Sequence, residues 1–410
     1  RVGFAYDIFG TGKTVIRGGY GLFFERVQGN DIYGTDTNPP WAFQPSVNAV
    51  YFSNPNTNNN TGQTATVPTS PSNFSALNLD YRNPATQQFS LGVQHEVAPS
   101  TVAAVQYVGM TGWNQNDERA INTLPLTDSS GLANREAVAG GANANLYRIY
   151  PGWANITRTE NTTNSSYHSL QATLRMENRH GLSLQFAYTY SHEIDIQSGD
   201  LTSSTLSGSG GQLSDPFNQD YDRGSGLFDR RHIFNANYIY NFPFFLHSSS
   251  ALERTLLGGW QISGITVAES GTPTNVNYGT DVLGLGGNAT NRPSLSGHVG
   301  YPKKQLGWFN TSSFSAPVAP WDGGGNQGFG AAGKDAVVGP GLFNWNLSLF
   351  KEFRLTSGEG PLFQLRAESY NTFNHTEFQN VSAGFTSSNF GQLTSTYDPR
   401  VLQFGAKFLF

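Results

Sequence analysis

Two glycine-rich segments have the spacing of nucleotide-binding loops. The first, Gly10–Thr14 (GTGKT), matches the end of a P-loop, in which backbone amides and a lysine bind phosphate. The complete pattern needs a glycine five positions before Gly12, but that position holds Asp7. A P-loop also needs a following helix whose N-terminus points at the phosphate, whereas the residues after Thr14 have the pattern of a strand. The sequence therefore predicts a tight turn here and no nucleotide site.

The second segment, Gly323–Gly328 (GGGNQG), fits the spacing of a dinucleotide-binding fingerprint. It follows Pro317 and Pro320 and belongs to no strand–turn–helix unit, so a loop is predicted. The chain also contains no serine in a Gly-x-Ser-x-Gly elbow, and its 8 histidines show no His-x-x-x-His spacing. We therefore expect that the protein is not an enzyme and uses no cofactor.

Three carboxylates and three arginines lie in one short segment. They are Asp215, Asp220, Asp222, Arg223, Arg230 and Arg231. Carboxylate oxygens are preferred Ca²⁺ ligands, so the three aspartates are a weak calcium candidate, although their spacing matches no EF-hand. The interpretation that we favour is a structural charge network, at the base of a loop, in which the neighbouring arginines pair with the acids.

The amino-acid composition restricts the kind of surface that the protein can have. Only 13% of the residues are charged, about half the usual level for soluble proteins, while 13% are aromatic and the mean hydropathy is -0.39. A barrel in lipid, apolar outside and polar inside, fits this balance. No stretch approaches the roughly 20 apolar residues of a membrane-spanning helix. The net charge of -5 gives no support to nucleic-acid binding, and the lack of cysteine excludes disulfides.

Strand periodicity is clearest in the hairpin Tyr167–His192. In its second arm, five apolar residues alternate with small or polar ones: Leu182, Leu184, Phe186, Tyr188 and Tyr190. A strand is the regular structure that places alternate residues on opposite faces. Asn178 and Gly181 in the turn can adopt positive φ. Similar hairpins recur, and we predict about eleven strands, each long enough to cross a bilayer at a tilt.

Short turns alternate with long segments rich in Asn, Ser, Gly, Thr and Pro. The long segments cover roughly residues 26–85, 113–165, 193–227, 271–342 and 374–398. A compact soluble domain rarely has loops longer than about 15 residues, whereas an antiparallel barrel has long extracellular loops and short periplasmic turns. The predicted fold class is therefore all-β: a partial transmembrane barrel of outer-membrane type.

The last strand has aromatic residues at alternate positions and ends on one. Phe404, Phe408 and Phe410 share a face with Leu402 and Ala406. This arrangement resembles the signal that the barrel assembly machinery recognises. The alternative is a half-buried edge strand that happens to end at Phe.

Several segments resemble the barrel of TonB-dependent outer-membrane receptors, and most closely the Oar-like subgroup. They are RVGFAYDIFGTGKTVIRGGYGLFFER, NPATQQFSLGVQHEV, SYHSLQATLRMENRHGLSLQFAYTYSHEID, FDRRHIFNANYIYNFPF, GGWQISGITVAESGTP, RAESYNTFNHTEF and DPRVLQFGAKFLF. The resemblance implies that residues 1–410 are the C-terminal part of a 22-stranded barrel. It also implies that the signal peptide, a carboxypeptidase-regulatory-like domain, the plug and the first barrel half lie elsewhere. The partners implied are outer-membrane lipid, the missing plug and barrel half, the TonB complex and the assembly machinery of a Gram-negative cell.

Two further groups of residues are candidates for contact with a plug or a ligand. Alternation predicts that six polar side chains face the lumen and a plug: Asn344, Asn346, Ser348, Gln364, Arg366 and Glu368. Five loop tryptophans are candidates for contacting sugar, peptide or chelate ligands: Trp41, Trp113, Trp153, Trp308 and Trp321. Packing within the loops is the alternative for each tryptophan.

The sequence thus predicts a receptor for active transport, in which loops capture a ligand and TonB drives uptake through a plugged barrel. One alternative is a non-gated outer-membrane pore or a surface protein for adhesion or secretion. The other is a soluble carbohydrate-binding β-protein, which would dissolve without detergent. No residue pattern identifies the ligand.

Overall fold

The structure is a computed structural model. It describes residues 1–26, 29, 34–39, 49–54, 57–58, 60–61, 71–126, 129–198, 213–286, 291–324, 329–354 and 360–410. Trp41, the end of the second glycine-rich segment and the turn 355–359 lie outside these residues.

Eleven long strands form the body of the protein. They are β1 (Val2–Asp7), β2 (Thr14–Phe24), β3 (Ala85–Ala98), β4 (Thr101–Ala120), β5 (Trp153–Arg179), β6 (Leu182–Asp195), β7 (His232–Asn241), β8 (Trp260–Glu269), β9 (Leu342–Arg354), β10 (Leu362–Tyr370) and β11 (Val401–Leu409). Each strand pairs antiparallel with the next one in this series. Two short strands join the same sheet, Ser72–Leu77 along β5 and Gly224–Ser225 along β6. The predicted all-β antiparallel fold is confirmed; β1 and β11 are its two edges, so the sheet is open.

One face of the sheet is apolar across all eleven strands. Representative cross-strand pairs on it are Leu91–Tyr107, Leu170–Tyr190, Ile262–Leu349 and Ala367–Phe404. Large residues on this face remain exposed, for example Phe4 and Phe404. Because side chains alternate with a period of two, the same register places polar residues on the opposite face. We call these surfaces the apolar face and the polar face.

The connections alternate in length as the sequence predicts. Short turns follow β1, β3, β5 and β9, a longer connection (residues 242–259) follows β7, and the long segments follow β2, β4, β6, β8 and β10. The turn after β5 uses positive φ at Asn178, His180 and Gly181. In the first turn, the Asp7 carboxylate accepts the Gly12 amide at 2.6 Å and the Phe9 amide at 3.3 Å. This geometry confirms the tight turn that was predicted in place of a P-loop.

Two strands are longer than predicted. β4 has 20 residues and β5 has 27, so their ends occupy parts of the segment 113–165 that we predicted as a loop. A bilayer needs about 9–11 residues of a tilted strand, so β5 extends well beyond a membrane. The extension lacks an apolar row, and the alternation that marks a strand in lipid is therefore missing from it.

The long segments also contain regular structure. In the described part of the chain, helix α1 (Ser129–Ala139) lies in the segment after β4, and helix α2 (Ala251–Leu256) lies in the connection after β7. The 3-10 helices are Gly34–Thr37, Ala144–Leu146, Gln219–Asp222, Thr311–Ser313 and Pro320–Asp322. Three two-stranded ladders pair Pro273–Thr274 with Val337–Val338, Ser294–Leu295 with Phe314–Ser315, and Phe378–Val381 with Leu393–Thr396. Among the residues described, no helix is long and apolar enough to span a membrane.

The buried hydrophobic residues lie mainly in the long segments and not in the sheet. One cluster consists of Val276, Val299, Phe309, Phe314, Ala332 and Val337, packed against residues such as Phe385 and Phe390. A second consists of Leu283, Leu285 and Phe329, packed against Leu126 and Tyr221. These clusters join residues 121–126, 129–152, 196–198, 213–231, 270–286, 291–324, 329–341 and 371–400 into one packed body, which we call the loop cap.

Candidate functional site

The six polar residues predicted to face a plug lie on the polar face. Ser348 pairs with Glu368, and Glu352 pairs with Gln364 on the neighbouring strand. Asn344 and Asn346 follow the same alternation along β9, opposite to Phe343 and Trp345. The register therefore brings the six side chains together on one surface of β9 and β10. Their contact with a plug stays a prediction.

A chain of side-chain hydrogen bonds orders this surface. The Gln364 amide donates to Glu352 Oε1 at 3.0 Å, and Arg366 Nε donates to Gln364 Oε1 at 2.6 Å. The Arg366 guanidinium also lies 5.4 Å from the centre of the Phe350 ring. Arg366 is thus positioned by neutral groups, and its remaining donors stay available for a further partner.

The loop cap contains the acids that we considered as a network at the loop base. Asp222 Oδ1 accepts from Arg292 Nη1 at 3.3 Å, and Arg292 is only 1% exposed. The Arg292 guanidinium lies 3.6 Å from the centre of the Tyr221 ring, and the Ser214 amide donates to Asp222 Oδ2 at 2.7 Å. The partner of Asp222 is therefore an arginine 70 positions away in the chain.

The prediction that Arg223, Arg230 and Arg231 pair with the three aspartates is wrong. Arg223 donates to Asn164 at 2.7 Å, Arg230 pairs with Glu269 at 2.8 Å, and Arg231 pairs with Asp229 at 3.2 Å. The chain turns away after Gln219–Asp222, and the short strand Gly224–Ser225 directs the arginines to the ends of the sheet strands. A charge network exists at the base of the loop, but its ion pairs differ from the predicted ones.

The weak calcium candidate does not form a cluster. Asp215 accepts the backbone amides of Phe217 and Asn218 at 2.8 and 3.2 Å, which caps its own turn, and burial raises its pKa. Asp222 is committed to Arg292, as described above. In the described part of the chain, no group of three or more His, Cys, Asp or Glu is arranged to hold a metal ion.

A second buried ion pair joins the loop cap to the sheet. Lys334 and Asp195 contact each other, and both are almost completely buried. The Lys334 ammonium also donates to the Ile196 carbonyl at 3.1 Å. The pair joins the segment before β9 to the end of β6, across 139 positions of sequence. No local pattern in the sequence indicates this contact.

The carboxyl group of Asp335 has a pKa well above the usual value for aspartate. Burial raises the pKa of its carboxyl from 3.8 to about 6; the Lys334 ammonium opposes the shift, while the Asp195 carboxylate increases it. Arg292 and Asp222 are the other charged groups that act on it. A raised pKa means that the fold prefers the protonated acid, so Asp335 stabilises the cap below about pH 4 and this contribution is lost as pH rises to about 6.

We expect Asp335→Asn to stabilise the loop cap above pH 6 and to leave it nearly unchanged at pH 4. The asparagine is neutral at every pH and tolerates the positive φ of 52° at this position. Amide hydrogen exchange in residues 291–324 and 329–341, corrected for the intrinsic pH dependence, measures the difference. Asp322→Asn, in the 3-10 helix of the same cap, serves as the control. A difference between wild type and Asp335→Asn that does not depend on pH would contradict the assignment.

Helix α1 docks on the loop cap through a buried arginine. Arg135 is 0% exposed, and its Nε donates to the Leu283 carbonyl at 2.8 Å. Among the described residues, its two terminal nitrogens have no hydrogen-bond partner, and burial lowers its pKa. Arg148 donates to the Gly286 carbonyl at 2.8 Å and fixes the same stretch from the other side. Sequence reasoning missed Arg135, Arg148, Arg292 and Lys334, because each acts through a distant segment.

Two of the four described candidate tryptophans pack within the loops. Trp308 Nε1 donates to the Val338 carbonyl at 2.8 Å, and the side chain packs on the first hydrophobic cluster. The Trp153 ring lies 4.9 Å from that of Phe74. Trp113 lies in β4, and Trp321 lies in the 3-10 helix Pro320–Asp322. These contacts favour loop packing for Trp308 and Trp153, and ligand contact by any of the four stays a prediction.

The aromatic residues of β11 lie together on the apolar face. Phe404 and Phe408 pair with Ala367 and Phe363 of β10, and Phe410 follows at the end of the chain. All three are exposed, as are other large residues of the apolar face, and β11 is an edge strand. This exposure fits a strand that another protein could recognise, and the role as an assembly signal stays a prediction.

Comparisons with known proteins agree with this architecture. Residues 1–403 match the sequence profile of a family described as outer membrane beta barrel domain. The fold is similar to that of the outer membrane transporter YddB from Escherichia coli, with a TM-score of 0.53 and 10% identity, over 98% of this chain and 39% of YddB. The pyoverdine receptor FpvA from Pseudomonas aeruginosa PAO1 has a TM-score of 0.42 and 12% identity, over 100% of this chain and 35% of FpvA. The ferric-catecholate import receptor Fiu from Escherichia coli K12 has a TM-score of 0.41 and 10% identity, over 98% of this chain and 35% of Fiu.

The chain spans less than two thirds of the length of each of these proteins. No curated protein matches its sequence. The family match covers nearly the whole chain, and the structure shows the antiparallel sheet, the apolar face and the alternating connections of such a domain. The chain therefore belongs to the outer membrane beta barrel domain family and is located in the outer membrane.

Proposed function

We propose that this chain is the ligand-binding and wall-forming part of an outer-membrane importer of the TonB-dependent, Oar-like type. The loop cap captures a ligand outside the cell, and a plug supplied by the rest of the protein closes the lumen. TonB then moves the plug so that the ligand can pass. The polar face lines the lumen, because lipid requires the apolar face on the outside.

One observation supports this proposal most: the described parts of the segments after β4, β6, β8 and β10 form one packed body. Their buried clusters and two buried ion pairs give the loop cap a defined shape. A receptor needs such a shape, because preorganised groups lose less entropy when a ligand binds. An open pore needs only a wide lumen, and its loops need no common core.

The alternative is a non-gated pore or a surface protein for adhesion or secretion. Conductance separates the pore from the importer. We expect the full-length protein to give no stable conductance in a planar bilayer, and a variant without its plug to conduct. Stable conductance of the full-length protein would contradict the importer. Binding of the purified TonB C-terminal domain to the full-length protein separates the importer from an adhesin, which should show none.

Arg366→Ala in the full-length protein is expected to weaken the interaction between the barrel and the plug. Arg366 lies on the polar face, and its bond to Gln364 leaves donors for a plug carboxylate or carbonyl. A hydrogen bond to a charged group contributes about 1.5–3 kcal/mol, so the urea midpoint for plug unfolding should fall. Arg175→Ala is the control, because the Arg175 side chain is exposed and already paired with Glu177. An unchanged midpoint together with unchanged uptake would remove Arg366 from the plug surface.

A further inference from the structure

A groove lies on the apolar face at the end of the sheet nearest the short turns. Its volume is about 630 Å³, within the range of sites that hold small molecules. The side chains that line it include Leu256, Trp260, Leu349, Lys351, Leu365 and Phe404. The groove therefore spans β8 to β11 and is bordered by the end of α2.

Small residues create the depression. Ala367 of β10 and Ala406 of β11 are on the apolar face in adjacent strands, and both line the groove. Larger residues surround these two alanines, so a depression forms between Leu365 and Phe404. An empty apolar groove on a surface that faces lipid would lose packing contacts, so an acyl chain is the occupant that the membrane can supply.

One charged residue interrupts the apolar face here. Among the residues that the register places on that face in β6 to β11, Lys351 is the only Lys, Arg, Asp or Glu. It is 4% exposed, and its ammonium lies 4.9 Å from the Phe353 ring and 5.5 Å from the Trp260 ring. It also donates to the Gly258 carbonyl oxygen. In the described part of the chain, no carboxylate lies within ion-pair distance of it.

The position of Lys351 is close to the membrane surface. It lies three residues before Arg354, the last residue of β9, which corresponds to about 10 Å along the strand. A lysine on the lipid side is strongly unfavourable at the bilayer midplane and nearly neutral near the interface. Lys351 is therefore placed where the headgroups of the nearer leaflet begin.

We propose that the groove is a binding site for one anionic phospholipid. An acyl chain lies between Leu349, Leu365 and Phe404, and a phosphate oxygen accepts from the Lys351 ammonium. Among the described residues, Lys351 donates one hydrogen bond, to the Gly258 carbonyl, which leaves two of its three N–H donors for that oxygen. The charge of Lys351 selects an anionic headgroup over a zwitterionic one. This proposal concerns the wall of the barrel and does not depend on the transport function.

Tryptophan quenching by brominated lipids in nanodiscs tests the site in the full-length protein. One variant keeps Trp260 as its only tryptophan, and a matched variant keeps Trp345. Trp345 is on the apolar face of the same strand as Lys351, six residues away, and contacts Phe343 and Phe373 instead of the groove. We expect brominated phosphatidylglycerol to be preferred over brominated phosphatidylcholine about fivefold at Trp260 and not at Trp345, the size expected for one basic residue near anionic lipid.

Lys351→Met should reduce the preference at Trp260 to about one, and Lys351→Arg should restore it. Ala406→Phe should fill the groove and lower quenching at Trp260 by both lipids. The heat-dependent gel mobility of the barrel confirms that each variant is folded. Equal affinity of the two lipids at Trp260 in the wild type, or an unchanged preference in Lys351→Met, would overturn the proposal.

Discussion

Arg292→Met is expected to release residues 213–230 from the rest of the loop cap. The substitution removes the only arginine paired with Asp222 among the described residues and leaves that carboxylate buried without a counter-charge. Breaking a buried pair from one side costs about 3–5 kcal/mol. At about 1.4 kcal/mol per factor of ten, amide exchange in residues 213–230 and 291–324 should become about 10² to 10⁴ times faster.

Arg135→Met is the matched control, since Arg135 is equally buried but forms no ion pair with a described acid, although the Asp281 carboxylate acts on its charge. Among the described residues, its one hydrogen bond goes to the Leu283 carbonyl, and its two terminal nitrogens lack partners. Removing two unsatisfied donors offsets the loss of one bond, so we expect a change of no more than about 1 kcal/mol. If both substitutions accelerate exchange equally, the Asp222–Arg292 pair has no special role in the cap. The sheet serves as an internal reference, because exchange in β6 to β8 should not change.

Gly284→Ala is expected to undock α1 from the loop cap. Gly284 has a φ of +63°, and an added Cβ would lie 1.9 Å from the Arg135 carbonyl oxygen. The backbone conformation costs a non-glycine residue about 1–2 kcal/mol, and the overlap adds about 1–3 kcal/mol. An isolated helix of 11 residues is marginal in water, so α1 should unfold once it loses this contact. Loss of amide protection in residues 131–139 measures the effect.

Gly297→Ala separates the cost of the backbone conformation from the cost of the overlap. Gly297 has a φ of +79°, but no heavy atom lies within 4 Å of its added Cβ. It should therefore show only the backbone cost, confined to its own turn, with α1 still protected. Equal protection of α1 in the two variants would mean that the close approach of Gly284 to Arg135 does not hold the helix.

The amino-acid sequence predicted the sheet with few errors. The alternation of Leu182 to Tyr190 with small and polar residues predicts which face each side chain occupies, and the pairs Leu170–Tyr190 and Leu174–Phe186 confirm it. The polar set around Arg366 lies on one face for the same reason. The face of a strand that a side chain occupies repeats every two positions, so local sequence is sufficient to predict it. The prediction was less accurate for the ends of β4 and β5, which extend beyond the apolar row that identifies a strand in lipid.

The contacts of the loop cap were decided only by the tertiary structure. Asp222 pairs with Arg292 and not with the nearby arginines, and Lys334 reaches Asp195 across 139 positions. The groove beside Lys351 likewise needs four strands and α2 in their final places. The sequence specifies the charge and size of a residue, but the contact partner of that residue depends on which distant segments pack against it. The repeating geometry of a strand supplies that information for the sheet, and irregular loops have no such repeat.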